Sequence, residues 1–200
     1  MSYEVIIIGG GVSGLSCALT LSSANRKIEQ LKNAKYLIID SNQSDLNKAK
    51  LLNVPAVTSE TMGSDALVNI RAQIDGFGGC EFVEAVATKI DEEVDNYTVT
   101  TADGNSYKAK RVVLATGFHS FNIAVEGAKT KSSLLSPRPG KIELAHHNNT
   151  IQDGLYVAGL LSGVYTMFAC AAGSGVKVAC DILSEINAQP TIIHDLAMPI

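Results

Sequence analysis

The chain has 200 residues, 46% of them hydrophobic and 18% charged, with a formal net charge of −4. That is enough apolar material for one substantial domain, residues 1–200, without disulfide or metal staples. The charge is spread without long runs, which excludes a nucleic-acid or anionic-membrane footprint; Cys17, Cys80, Cys170 and Cys180 form no CxxC and no zinc-type spacing, so no metal site is expected.

The first element is Val5-Ile6-Ile7-Ile8, a short β-branched run that reads as a strand buried on both faces of a parallel sheet. It has no cationic region before it and is only four residues long, so no secretory leader is expected and a cytoplasmic location is. Gly9, Gly11 and Gly14 follow with GxGxxG spacing, and Ala18 supplies a small residue four further on. Gly9 makes the tight turn, Gly11 admits a pyrophosphate against bare backbone, and Gly14 lets helix and strand pack closely. A helix from about Val12 to Ser22 then aims its free N–H groups at the phosphates.

Such a loop needs an acid closing the second strand, about 20 residues on. Asp40 ends Tyr36-Leu37-Ile38-Ile39 and lies 26 beyond Gly14, the excess falling in the polar connection Ala24 to Lys35. The bland alternative is a glycine-rich turn in some other α/β protein.

Further along, Pro55 biases Val54 to an extended backbone. Ser64 and Asp65 are candidate caps of a helix carrying Leu67, Ile70 and Ile74, ended by Gly76-Phe77-Gly78-Gly79. Glu81–Ile90, Asn96–Thr101 and Ser106–Lys110 read as a three-stranded antiparallel meander, with Asp103-Gly104 as a hairpin signal. A separate strand, Arg111 to Ala115, ends in Thr116-Gly117. Between Phe118 and Asn149 stand a Pro137-Arg138-Pro139-Gly140 loop and a short strand at Lys141–Leu144.

Leu155–Ala158 reads as a strand broken at Gly159, followed by a helix from about Val164 to Ile186. Its small residues, Ala169 to Gly175, suit close packing on a sheet or on the first helix. Gly154 to Val176 is 23 residues without a charge, but Gly159, Ser162 and Gly163 interrupt it, which favours a buried strand, turn and helix over a membrane span. The tail, 189–200, is expected to be extended. Cys17 and Cys170 sit in small apolar surroundings that suit buried, inert thiols.

Three separated segments, Ile6–Ala18, Arg111–Gly117 and Asp153–Gly159, resemble the FAD domain of thioredoxin-reductase-like flavoproteins, within the pyridine-nucleotide-disulfide oxidoreductases. The similarity covers most of 1–118 and 141–188. It implies an α/β, Rossmann-like FAD-binding domain, a parallel sheet with an inserted three-stranded antiparallel meander. It further implies that Gly9, Gly11, Val12, Ser13 and Gly14 cradle the FAD pyrophosphate, and that Asp40, with Ser41 beside it, binds the adenosine ribose. Asn53 falls near the cofactor, and Val86 presents backbone to the adenine. Ala115, Thr116 and Gly117 pass close to the dinucleotide, while Gly159, Leu160 and Met167 border its flavin end. The helix after Gly159 would point a partial positive charge at the flavin carbonyl edge and favour its reduced form.

The chain departs from the family pattern in three places. Leu160 stands where the family has the aspartate of its Gly-Asp motif, which removes a hydrogen-bonding group worth about 0.5–3 kcal/mol. Thr166 and Met167 replace arginine and glutamine at the start of the last helix. Gly117 and Gly159 are only 42 residues apart, too few for the second nucleotide domain that family members insert there, and no redox CxxC is present. The resulting expectation is an FAD-dependent oxidoreductase supplied by a partner protein or a small reductant, with homodimerisation implied by the resemblance. The alternative is a non-catalytic module that holds FAD or an adenine nucleotide as a structural or sensing subunit. No catalytic side chain is evident; His119 is a candidate for approach to the flavin, His146-His147 reads as a polar turn, and Cys170 is a weak redox candidate.

Overall fold

The computed structural model describes residues 2–193. Residues 194–200 of the tail expected to be extended lie outside the described residues.

The chain begins with β1 (Ser2–Ile8), α1 (Val12–Ala24) and β2 (Tyr36–Asp40), followed by a small hairpin, β3 (Lys50–Leu51) and β4 (Thr61–Met62), and α2 (Gly63–Phe77). Next come β5 (Cys80–Glu84), β6 (Ala87–Glu93), β7 (Asn96–Thr101) and β8 (Ser106–Leu114). A crossover carries β9 (Ala124–Val125), β10 (Thr130–Ser132) and β11 (Ile142–Leu144). The chain then closes with β12 (Thr150–Gln152), β13 (Leu155–Val157), a 3-10 turn at Gly159–Ser162 and α3 (Phe168–Ile186).

Five strands, β5-β2-β1-β8-β13, run parallel, giving the expected Rossmann-like α/β sheet. Val5 to Ile8 are buried on both faces, as an uninterrupted branched run requires. Val5, Ile7, Ile38 and Val113 face the three helices. Their neighbours Ile6, Ile8, Leu37 and Leu114 face the antiparallel strands, with Ile90, Val99 and Leu144. The small residues of α3 pack against α1, and a side chain on Gly175 would overlap the Ser13 carbonyl.

The antiparallel insertion is built differently from the sequence expectation. Glu81–Ile90 is not one strand: β5 joins the parallel sheet beside β2, and β6 begins the meander after a break at Ala85-Val86. Nor do Ser106–Lys110 and Arg111–Ala115 form two strands. They are the single nine-residue β8, bonded to β1 from Lys108 to Leu114. On its other edge β8 pairs with β7 through Ser106–Ala109 and with β13 through Val112–Leu114, so the meander and the parallel sheet share one strand.

Two helix starts also move. Met62 is the N-cap of α2, which leaves Ser64 and Asp65 inside the first turn. The last helix begins at Phe168, not near Val164, because Gly163 adopts the left-handed conformation and ends the 3-10 turn before it. Cys170 is exposed on the outer side of α3, contrary to the buried position expected for it, whereas Cys17 is fully buried in α1. Among the described residues no helix is long and apolar enough to cross a membrane.

Candidate cofactor site

The glycine loop stands where the parallel strands end. β1 delivers Gly9 at φ +112, a backbone that favours glycine, with its amide on the Ile39 carbonyl at 2.8 Å. A side chain on Gly9 would overlap the Ala115 carbonyl, so the segment leaving β8 presses directly against the loop. Gly14 is equally constrained, because a side chain there would overlap the Gly9 carbonyl and meet Ile7 Cγ2 at 3.1 Å. Gly11, the N-cap of α1, is open: only Ser44 Oγ, at 3.6 Å, approaches the position of its missing Cβ.

Gly10, given no role on sequence grounds, has one here. Its amide donates to Asp40 Oδ1 at 2.8 Å, and a Cβ on it would lie 2.5 Å from Asp40 Oδ2. The three successive glycines were the available signal. Asp40 and Ser41 remain half-exposed at the end of β2.

At the start of α1 the amides of Val12 and Ser13 have no acceptor within the helix. None of the described residues replaces it. Ser13 is 6% exposed and its Oγ lacks a hydrogen-bond partner among the described residues. Its side chain abuts Gly159, which sits at φ +70. The Gly159 amide donates to Ser174 Oγ at 2.9 Å and its carbonyl accepts from Ser162 Oγ at 2.8 Å. Buried hydroxyls of Ser13, Ser162 and Ser174 thus cluster around Gly159 where α1 and α3 meet.

Gly9, Gly11, Val12, Ser13, Gly14, Asp40, Ala115 and Gly159 are thus brought to one edge of the sheet. Thr116 is exposed beside them, and Gly117 has φ +78 with nothing near its missing side chain. Leu160 packs against the helix-side core. Met167 is an exposed N-cap of α3 and makes no side-chain cap bond. Asn53 lies in an exposed turn after β3. Val86 is in the link between β5 and β6, not in the first meander strand, and its carbonyl accepts from the Ala102 amide at 2.8 Å.

His119 is held between two charged groups. Its Nε2 lies 2.7 Å from Asp45 Oδ2 and its Nδ1 2.7 Å from Lys141 Nζ. An ammonium only donates, so Nδ1 accepts and Nε2 carries the proton toward Asp45. The contact joins the loops after β8 and β2, the two strands that flank β1. Among the described residues no three His, Cys, Asp or Glu side chains gather as a metal ion would need.

A parallel sheet with a glycine turn at the mouth of β1, a helix N-terminus behind it and an acid closing β2 is a Rossmann-type nucleotide-binding architecture. The chain belongs to the pyridine nucleotide-disulphide oxidoreductases, whose family pattern matches residues 3–138, a family of flavoprotein oxidoreductases. It is 25% identical to a ferredoxin–NADP reductase of Leuconostoc citreum over 195 residues, 96% of this chain and 52% of that protein. It is 31% identical to a thioredoxin reductase of Streptomyces clavuligerus over 114 residues, 57% of this chain and 34% of that one. The chain therefore spans about half the length, or less, of these relatives. The structure of a thioredoxin reductase from Gloeobacter violaceus superposes with a TM-score of 0.76 at 17% identity, covering 98% of this chain and 99% of that one.

Proposed function

We propose that this chain binds FAD along the C-terminal edge of its parallel strands and serves as the flavin-binding part of an oxidoreductase. The observation that carries the reading is the set of donors at the start of α1. Among the described residues, the amides of Val12 and Ser13 and the Ser13 hydroxyl have no hydrogen-bond partner, and they stand beside the bare face of Gly11. An anion there would satisfy groups that otherwise cost about 1–3 kcal/mol each when buried.

On this reading Asp40, with Ser41, accepts from the adenosine ribose while holding the loop through Gly10. Val86 presents backbone toward the adenine, and Asn53 lies near the cofactor. Ala115, Thr116, Gly117, Gly159, Leu160 and Met167 border the remainder of the dinucleotide. When bound, the flavin supplies the redox chemistry. Electrons come from a partner protein or a small reductant, because the crossover between β8 and β13 carries only strands of two or three residues.

A second reading, a module that holds FAD or an adenine nucleotide without turnover, is favoured by the flavin end. There Leu160 faces the core and the α3 N-terminus presents Met167 where a polar contact would be useful. A visible spectrum of protein purified without added cofactor separates the two. Yellow protein that bleaches with dithionite and recovers in air supports the oxidoreductase. Tight adenine-nucleotide binding without flavin supports the module, and uptake of neither refutes both.

A further inference from the structure

Two segments flank the glycine turn, because β2 and β8 are the neighbours of β1 in the sheet. On the β2 side Asp40 holds the Gly10 amide at 2.8 Å, and Ser44 Oγ stands 3.6 Å from the missing Cβ of Gly11. Ser44 Oγ also accepts from the Leu46 amide at 3.3 Å, which caps a 3-10 turn whose first residue is Asp45. On the β8 side the Ala115 carbonyl packs against Gly9. The segment is anchored there by buried Phe118, whose carbonyl accepts from the Ile142 amide at 2.9 Å.

The two segments lead away from the glycine turn and meet again through His119. Lys141 Nζ donates to His119 Nδ1 at 2.7 Å, and His119 Nε2 donates to Asp45 Oδ2 at 2.7 Å. The His119 ring lies edge-on to Phe118 with centroids 5.1 Å apart, and Lys141 Nζ is 5.2 Å from the Phe118 centroid, so both are seated on a buried aromatic. Asp45 has no such seat. Among the described residues, its contact with His119 is the one hydrogen bond or ion pair between residues 41–48 and residues 116–123. The chain from Asp40 to Asp45 and from His119 back to Ala115 thus closes a ring on Gly9 and Gly10, with the Asp45–His119 contact as its weakest link. Both of those side chains are exposed, at 69% and 53%, and an exposed pair can part at small cost and without disturbing the core.

Resting on the flavoprotein reading, we propose that Asp45, His119 and Lys141 form a clasp across the path of the dinucleotide, which opens for the cofactor to enter and to leave and so sets the rate of its exchange. Opening costs the same whether the site is filled or empty. Loss of the clasp therefore speeds entry and release by one factor and leaves the binding equilibrium where it was. His119 is on this account a positioning residue, acting on the mobility of the Asp45 segment and not on the flavin.

The test follows FAD, and separately a fluorescent ADP analogue, entering and leaving the full chain by stopped-flow fluorescence. His119→Ala, Asp45→Ala and the double variant are each expected to raise both rate constants about three- to tenfold, and by the same factor, because all three break one contact. Kd is expected to stay within about twofold of the parent. His119→Gln keeps one donor and one acceptor and is expected to bring both rates back toward the parent. In the ligand-free chain, amide hydrogen exchange of residues 41–48 is expected to quicken in His119→Ala and to recover in His119→Gln. Unchanged rates or unchanged hydrogen exchange in His119→Ala overturn the clasp. So does a Kd raised about tenfold with entry unchanged, which would assign His119 to direct contact with the ligand. FAD uptake at rates that none of the variants alters sinks the clasp alone. Exchange of the ADP analogue with the expected rate changes, but no uptake of FAD, sinks the flavoprotein reading alone; uptake of neither sinks both.

Discussion

The Gly10 amide and the Asp40 carboxylate are joined across 30 residues of sequence by a 2.8 Å hydrogen bond, and the carboxylate fills the space a Gly10 side chain would take. The acid at the end of β2 thus secures the loop at the end of β1 before any ligand arrives. Asp40→Ala should leave that amide unpaired and lower stability by about 1–3 kcal/mol, with a parallel loss of FAD affinity. Asp40→Asn retains a carbonyl acceptor and should recover much of the stability. Urea unfolding and FAD titration of the two variants check this; equal stability in Asp40→Ala and the parent would remove Asp40 from the loop's support.

The glycines should separate into binding and packing positions. Gly11 has an extended backbone, φ −71 and ψ 177, that valine adopts readily, and open space beside it. Gly11→Val should fold normally and lose flavin by blocking pyrophosphate approach. Gly14→Ala places a methyl into the Gly9 carbonyl, so it should destabilise the fold itself by about 1–3 kcal/mol or more. Circular dichroism melts and flavin content measured on both variants read the difference; unchanged flavin content in Gly11→Val would count against the site.

These contrasts show what the sequence could and could not reveal. The strand–loop–helix–strand–acid order was legible because each part is local: a branched run, three glycines at fixed offsets, an acid after Ile39. The boundary between meander and sheet was not. β8 changes partner along one edge at about Lys110, and no residue type marks a change of partner, since Ala109 and Val112 are buried alike. The break at Ala85-Val86 was hidden for a related reason, two strand-forming runs meeting without glycine or proline. The ties of Gly10 to Asp40 and of His119 to Asp45 and Lys141 depend on which loops the sheet order brings together, and that is tertiary information.

The four thiols should differ sharply. Burial pushes the Cys17 thiol well up from its ordinary range, with a smaller contribution from nearby Cys80, whereas Cys170 is exposed. Thiol reagents need an accessible thiolate. Ellman's reagent at neutral pH should therefore label Cys170 rapidly in the folded protein and Cys17 only on unfolding. Rapid labelling of Cys17 under native conditions would contradict the packing of α1.

At the start of the sheet, Arg111 Nη1 meets Glu4 Oε1 at 2.7 Å, and Arg111 Nε lies 3.4 Å from Glu185 Oε2, a carboxylate that also accepts from the buried Tyr156 hydroxyl. The Glu4 and Arg111 side chains are mostly covered. Arg111→Met should cost about 3 kcal/mol, because among the described residues it leaves Glu4 paired with the more exposed Lys110 alone. Glu4→Gln/Arg111→Met should cost less than the two single changes together. Strict additivity in denaturant unfolding would show that the pair is not coupled.

The Tyr3–Glu81 pair gives a pH dependence with opposite signs at its two ends. Tyr3 donates to Glu81 Oε2 at 2.7 Å. Burial first, then that hydrogen bond, raises the Tyr3 hydroxyl from its ordinary 10.0 to about 12. Its contribution is therefore complete below pH 10 and is lost as pH rises toward about 12. Glu81 is shifted the other way, lowered chiefly by the Tyr3 hydroxyl, with Lys35 adding to the effect. Its contribution is present above the ordinary carboxyl value of 4.5 and is lost as pH falls through the lower folded value. Tyr3→Phe should reduce stability at neutral pH by about 1 kcal/mol and shrink both limbs. The alkaline limb should not vanish, because burial also pushes the Cys80 thiol up to about 12. Denaturant midpoints measured from acid to alkaline pH decide the matter: an acid limb unchanged in Tyr3→Phe would mean that the hydroxyl does not hold the Glu81 carboxylate.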